Sequence, residues 1–185
     1  MSKIKQKLRP KKCKSCREKF QPERQFQECC SIPCAIKFAV VKRKKKEDRE
    51  HRERKRGLKP ISHWFKETQK VFNEFIRVRD SLRPCISCAD LDSPEWCAGH
   101  YRTRGAASQL RFNEDNAHKQ CNKNCNESLS GNIENYRPRL IAKIGLARVE
   151  ALENDNSTRK WEREELEEMR KHYRGRIREL EKKAA

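Results

Sequence analysis

The chain has 185 residues, of which 34% are apolar and 39% charged, and a formal net charge of +19. That composition excludes one large apolar core. The lack of any run of about 18 apolar residues excludes a helical membrane span, and the charge calls for an anionic partner, with nucleic acid foremost. Ten cysteines offer another way to hold small cores together, through metals or disulfides.

The first residues, MSKIKQKLRP, are basic with no apolar run behind them, so 1–12 reads as a disordered leader and not as a secretory signal. The cysteines are therefore expected in a reducing cytoplasm, where Cys-x-x-Cys spacing argues for zinc over disulfides. Cys13, Cys16, Cys30 and Cys34 form a first quartet able to meet around one tetrahedral ion. The loop between the pairs is too short to build a core without it.

Residues 1–59 hold 22 Lys and Arg against 7 Asp and Glu, a net of +15, which leaves +4 for the rest. Residues 35–59 have no proline and are expected to form a helix. Its later part is charged all round, so it reads as a solvated, phosphate-tracking arm led by Lys42, Arg43, Lys44, Lys45 and Lys46. Beyond Pro60, with Ser62 as the expected N-cap, Trp64, Thr68, Val71, Phe72, Phe75 and Ile76 recur at helical spacing.

Cys85, Cys88, Cys121 and Cys125 make a second quartet, which brackets Gly99-His100 and Asn116-Ala117-His118. Residues 96–103 suit a strand, 104–109 a loop, 110–112 the start of a return strand and 113–116 a turn. A helix is expected to begin near Cys125-Asn126. Further helices are expected from Ile133 to about Gly145, with Pro138 as a kink or restart, and from Thr158 to Lys183. In the last, Trp161, Leu166, Met169, Tyr173, Ile177 and Leu180 form an apolar stripe that would cover a core or pair two chains as a homodimer.

The order strand, loop, strand, helix, with His100, Asn116 and then Asn126 beside a zinc-type cysteine, is similar to the HNH endonuclease motif. More widely, the chain resembles the phage lambda NinG family of recombination nucleases, also called Rap. The resemblance rests on CSIPC, KPISHW, PCISC, AGHYRTRGA, LRFNEDNAHKQC and SGNIENYR, and spans nearly the whole chain. It implies a phage-encoded, structure-specific endonuclease in the bacterial host cytoplasm. The expected substrates are branched double-stranded DNA, D-loops and Holliday junctions, and the expected associates are phage or host recombination proteins.

On this reading the fold class is α+β, small and zinc-stapled. A leader and a four-cysteine zinc knuckle occupy 1–36, a basic helical arm 37–60, an HNH-like ββα-metal core 61–152 and an amphipathic helix 153–185. His100 is the candidate general base, and Asn116 would hold the imidazole or its loop. Asn126, with His118, would hold a catalytic Mg²⁺ or Mn²⁺, while Arg102, Arg104 and Arg111 would grip the phosphate. Two departures stand out. Gly99 occupies the position where HNH proteins often carry a metal-binding Asp, and Cys97 the position where the family carries one. The last cysteine pair also has three intervening residues where the family has two. The competing readings are a non-catalytic, zinc-containing DNA-binding factor and a structural adaptor acting through the C-terminal helix. The adaptor would lose activity on truncation near residue 158 and still bind DNA.

Overall fold

The computed structural model describes residues 8–184 of a mixed α+β chain. The chain divides into two units, Met1–Lys59 and Pro60–Ala185. Residues 1–7 of the expected leader lie outside the described residues.

In the first unit, strands β1 (Lys11–Lys12) and β2 (Lys19–Phe20) pair antiparallel, so the end of the expected disordered leader is a strand. The pairing frames the turn that carries Cys13 and Cys16. Helix α1 (Ile32–Gly57) begins earlier than expected. The Ser31 side chain caps the amide of Cys34, and Pro33 occupies the first turn, where its missing N–H costs nothing. The helix runs through the anticipated boundary at residue 36 and carries Cys34 in its first turn. No residue of α1 is buried. Ion pairs one turn apart line it: Arg43–Glu47, Lys46–Glu50 and Arg49–Glu53.

In the second unit, α2 (Ile61–Arg79) starts after Pro60, not at Ser62. Its buried face, Trp64, Thr68, Val71, Phe72, Phe75 and Ile76, packs against α5 (Arg163–Ala184). Leu166, Tyr173 and Ile177 of α5 fill that interface with Trp161, and Thr68 Oγ1 donates to Leu166 O at 2.8 Å. The C-terminal stripe is thus covered within the chain.

The central hairpin pairs β3 (Trp96–His100) with β4 (Ala117–Cys121), with Gly99 opposite His118 and His100 opposite Ala117. The return strand expected at 110–112 is not one. Ser108–Leu110 is a 3₁₀ turn, and Leu110 and Phe112 are buried plugs that enter two different clusters. Residues Asn122–Ser128 form a π-helical turn. Then α3 (Ile133–Ile144), continuous through Pro138, and α4 (Leu146–Asn154) follow, separated by Gly145 at φ 88°. Tyr136, Leu140, Val149 and Leu152 from α3 and α4 close the second cluster over Tyr101, Ala107 and Leu110. No helix among the described residues is long and apolar enough to cross a membrane.

Candidate functional site

The two cysteine quartets share one local geometry. In the first, Cys13 N donates to Glu18 O and Arg17 N to Cys13 O. In the second, Cys85 N donates to Asp90 O and Ala89 N to Cys85 O. Each turn needs a residue of positive φ just after its second cysteine, Arg17 at 70° and Ala89 at 63°. Each first cysteine then accepts an amide from the later pair, Cys30 N to Cys13 Sγ and Cys121 N to Cys85 Sγ, both at 3.4 Å.

The four sulfurs of each set lie within 4.8 Å of one another, with pairs at 3.7 Å (Cys16–Cys30), 3.8 Å (Cys85–Cys125) and 3.6 Å (Cys88–Cys121). A tetrahedron of thiolates at ordinary Zn–S distance has edges of about 3.8 Å. Donor type, number and spacing therefore fit structural zinc at both sites. Burial pushes the Cys13 thiol up, but the amides of Cys30, Cys16 and Ser15 more than offset this and hold it at about 5. Cys85 is lowered for the same reason, burial being outweighed by the amides of Cys88, Cys121 and Ser87.

His100 ends β3, half-buried beside the Phe72 ring, with centroids 6.1 Å apart. Its Nε2 donates to Arg111 O at 3.0 Å, so the neutral ring carries its lone pair on Nδ1. Burial holds the imidazole down at about 4, against the carbonyls of Arg111 and Ala98 and with help from the Arg104 charge. Arg111 itself lies over the Phe65 ring at 5.1 Å, and its buried Nε has no hydrogen-bond partner. Burial, then Arg104, lowers its pKa. His100, Arg104 and Arg111 thus come together.

Asn116 is fully buried and clamps the loop, not the imidazole. Its Oδ1 accepts from Arg102 N at 2.8 Å, and its Nδ2 donates to Arg102 O at 3.0 Å and Leu110 O at 3.2 Å. Arg102 is not placed as a phosphate clamp. Its guanidinium donates to the carbonyls of Leu152, Glu153 and Asp155 and to Asn156 Oδ1, tying the end of α4 to the hairpin loop.

His118 is placed away from His100. Directly opposite residues share a face, so His118 lies with Gly99 on the side away from His100 and Ala117. It is buried, with Nδ1 3.1 Å from Tyr136 Oη, which in turn donates to Gly99 O at 3.2 Å. Burial, then Lys143 and Arg79, hold it at about 3. Asn126 sits in the π-helical turn and donates to Asn122 Oδ1 at 3.3 Å, with neither His100 nor His118 as partner.

The hard-cation donors on these elements are few. A Cβ on Gly99 would collide with the Gln120 side chain, so an acid at that position has no room. Burial, then the Cys85 charge, push the Cys97 thiol up to about 12, and its Sγ faces Gln120 O at 3.4 Å. Besides the Glu127 carboxylate, which accepts from Asn122 Nδ2, there are the amide oxygens of Asn126 and of Gln120, whose buried Oε1 has no partner. Neutral amides fit an ion that arrives with its waters and a substrate phosphate, and not a resident one.

Sequence reasoning missed Asp80, the acid that organises this end of the unit. It accepts from Arg79 at 2.7 Å, Lys143 at 3.2 Å and the Lys119 amide at 3.2 Å. Burial would raise its pKa, but Arg79 and Lys143 hold it at about 2. A polar residue just past the end of an amphipathic helix gives no sign of such a role.

The family model described as bacteriophage lambda NinG protein matches residues 5–183. The chain belongs to the NinG family. Its relatives include protein ninG of Salmonella phage P22, 42% identical over 190 residues, and protein ninG of Escherichia phage lambda, 41% identical over 190 residues. Each alignment covers 92% of this chain and 93% of the relative. Protein ninG of Escherichia phage 933W is 39% identical over 188 residues, with the same coverage. No solved structure matches. Family membership makes this a lambda-type phage protein, and the quartets are two cysteine clusters suited to zinc.

Proposed function

We propose that this NinG-family chain is a structure-specific DNA endonuclease that hydrolyses phosphodiesters in branched recombination intermediates such as D-loops and Holliday junctions. The observation that carries the reading is the neutral imidazole of His100, its tautomer set by Arg111 O, at a strand end beside the cations of Arg104 and Arg111. A pure binding protein has no need of it.

Nδ1 of His100 is the atom that takes a proton from the attacking water. Arg111, whose Nε lacks a partner, and Arg104 offset the charge that builds on the phosphate oxygens. Asn116 acts through the loop, holding the hairpin connection that carries both arginines. Mg²⁺ or Mn²⁺, bound through Asn126 with water and phosphate oxygens, would supply Lewis-acid polarisation at phosphorus. The first quartet and the basic run Lys42–Lys46 add backbone contacts free of sequence.

The second reading, a non-catalytic zinc-containing DNA-binding factor, is favoured by one observation: no acid stands at position 97 or 99 to hold the cation. Labelled four-way junction, D-loop and linear duplex, incubated with Mg²⁺ or Mn²⁺, decide between the two. Wild type is expected to cut the branched substrates, and His100→Ala to cut at least about 100-fold more slowly with unchanged binding. Tight binding without cleavage in either metal would replace the nuclease reading with the binding factor.

A further inference from the structure

Beside β4, lined by neither His100 nor its two arginines, lies a cavity of about 630 Å³ that the chemistry above does not use. Five cations line it, Arg79, Arg83, Lys119, Arg139 and Lys143, and His118 contributes to its floor. Three acids border it, and each is already matched. Asp80 holds Arg79 and Lys143, Glu114 faces Arg79 and Arg176, and Asp115 pairs with Arg148. Arg83 and Arg139 are exposed and have no acidic partner among the described residues.

The cavity is therefore built and charged. Asp80 accepts from two side chains and from the Lys119 amide, which fixes a cationic floor before any ligand arrives. Lys119 Nζ is anchored on Ser81 O at 2.8 Å and over the Trp96 ring at 4.2 Å. The two free guanidiniums then stand at the rim with their donors uncommitted, an arrangement suited to the oxygens of a phosphate. Burial above all, then the Lys143 and Arg79 charges, lowers the pKa of His118.

We propose that this cavity is a second DNA-phosphate site, which holds one arm of a branched DNA while another arm lies on the His100 face. The two sites are separate, because His118 and Lys119 at β4 line the cavity while His100, Arg104 and Arg111 do not. Two separate phosphate-holding sites in one unit suit a molecule whose arms diverge. A straight duplex, stiff over this length, has no second arm to offer. The proposal rests on the reading of the chain as a binder of branched DNA, and not on cleavage.

The test uses the full-length zinc-loaded protein without added Mg²⁺ or Mn²⁺, so a missing nuclease activity leaves it intact. Binding to a labelled four-way junction and to linear duplex of the same arm sequence is measured by anisotropy across a salt series. Both DNAs are prepared with 5′-phosphate and with 5′-hydroxyl ends. The variants are Arg83→Gln/Arg139→Gln and Arg83→Glu/Arg139→Glu, with zinc content and thermal midpoint checked against wild type. Junction affinity is expected to fall about 10-fold or more for the glutamine pair and further for the glutamate pair. Duplex affinity should change less than about 3-fold, and the junction salt slope should drop by roughly 2. A loss confined to 5′-phosphorylated DNA would assign the cavity to a strand end and overturn its role in holding an arm. Unchanged junction binding by both variants, or equal losses on junction and duplex, would overturn the proposal.

Discussion

Asn116 commits all its side-chain hydrogen-bonding capacity to two backbone segments, so it decides the course of the loop between β3 and β4. Asn116→Ala would leave the Arg102 amide and the Arg102 and Leu110 carbonyls without that partner. The cost is about 3 kcal/mol, read as a drop in the urea midpoint of the second unit. An unchanged midpoint would mean that the loop holds itself. Buried His118 and half-buried His100 contribute to the pH response. His118 and His100 titrate near 3 and 4 folded, against 6.5 unfolded. Below 6.5 the unfolded chain binds more protons than the folded one, so the stability is complete above that value and drains as pH falls toward 4 and then 3. At pH 5 each ring removes on the order of 2 kcal/mol. Asp80 behaves differently. Its folded value near 2 lies below the ordinary 3.8, so its contribution holds above 3.8 and is lost only as pH falls toward 2. Of His100, His118 and Asp80, the histidines are therefore the first to lose stability on acidification. Denaturation from pH 7.5 to 5 should show a slope that His118→Gln roughly halves, and a flat wild-type profile would contradict the assignment.

At the scale of elements, α2 and α5 form the wall against which the hairpin is set. Leu166 is fully buried at the centre of that contact, and its carbonyl accepts from Thr68. Leu166→Ala should cost about 3 kcal/mol as a cavity, measured by chemical denaturation. A cost under about 1 kcal/mol would mean that α5 docks only loosely. The same packing alters what truncation near residue 158 can report, because removing Trp161, Tyr173 and Ile177 opens the core that holds Phe72 against His100. These helices were legible because their apolar residues recur at 3.6-residue spacing. The cysteine pairs were legible because their spacing is tied to metal geometry. Strand β4 was not. All five of its residues are buried, yet three are His, Lys and Gln, so no alternation marks it. Tyr136, Asp80, Ser81 and Ser87, all remote in sequence, hydrogen-bond these three residues, and only Gln120 Oε1 among the buried side-chain atoms of the three is left without a partner. Leu110 and Phe112 misled for the opposite reason. Their spacing of two suits a strand, but a 3₁₀ turn sends one into each cluster. At the site, residue types announced His100 and Asn116. The commitment of Arg102 to α4 and the separation of His118 from His100 depend on loop course and strand register, which no local pattern encodes.

For the whole molecule, on the proposed reading, the distribution of charge separates two kinds of DNA contact. Residues 1–59 hold +15 of the +19, and α1 buries none of its side chains; its Ser31 cap, its one-turn ion pairs, the Lys14 contact with Phe38 and the adjoining quartet support the helix. An exposed cationic helix of this kind tracks phosphates without regard to branching. Replacing Lys42, Arg43, Lys44, Lys45 and Lys46 together by Gln should therefore weaken junction and linear duplex by the same factor. The salt slope should fall by about 4 on both. Because these side chains are exposed and lie outside the second unit, its thermal midpoint and the zinc content should stay as in wild type. The contrast with Arg83 and Arg139 is the informative part. Loss of the arm lowers affinity uniformly, whereas loss of the cavity arginines lowers it on branched DNA alone. If the five-residue change instead abolished the preference for junctions, branch selection would belong to the basic helix, and the second unit would be left with chemistry only.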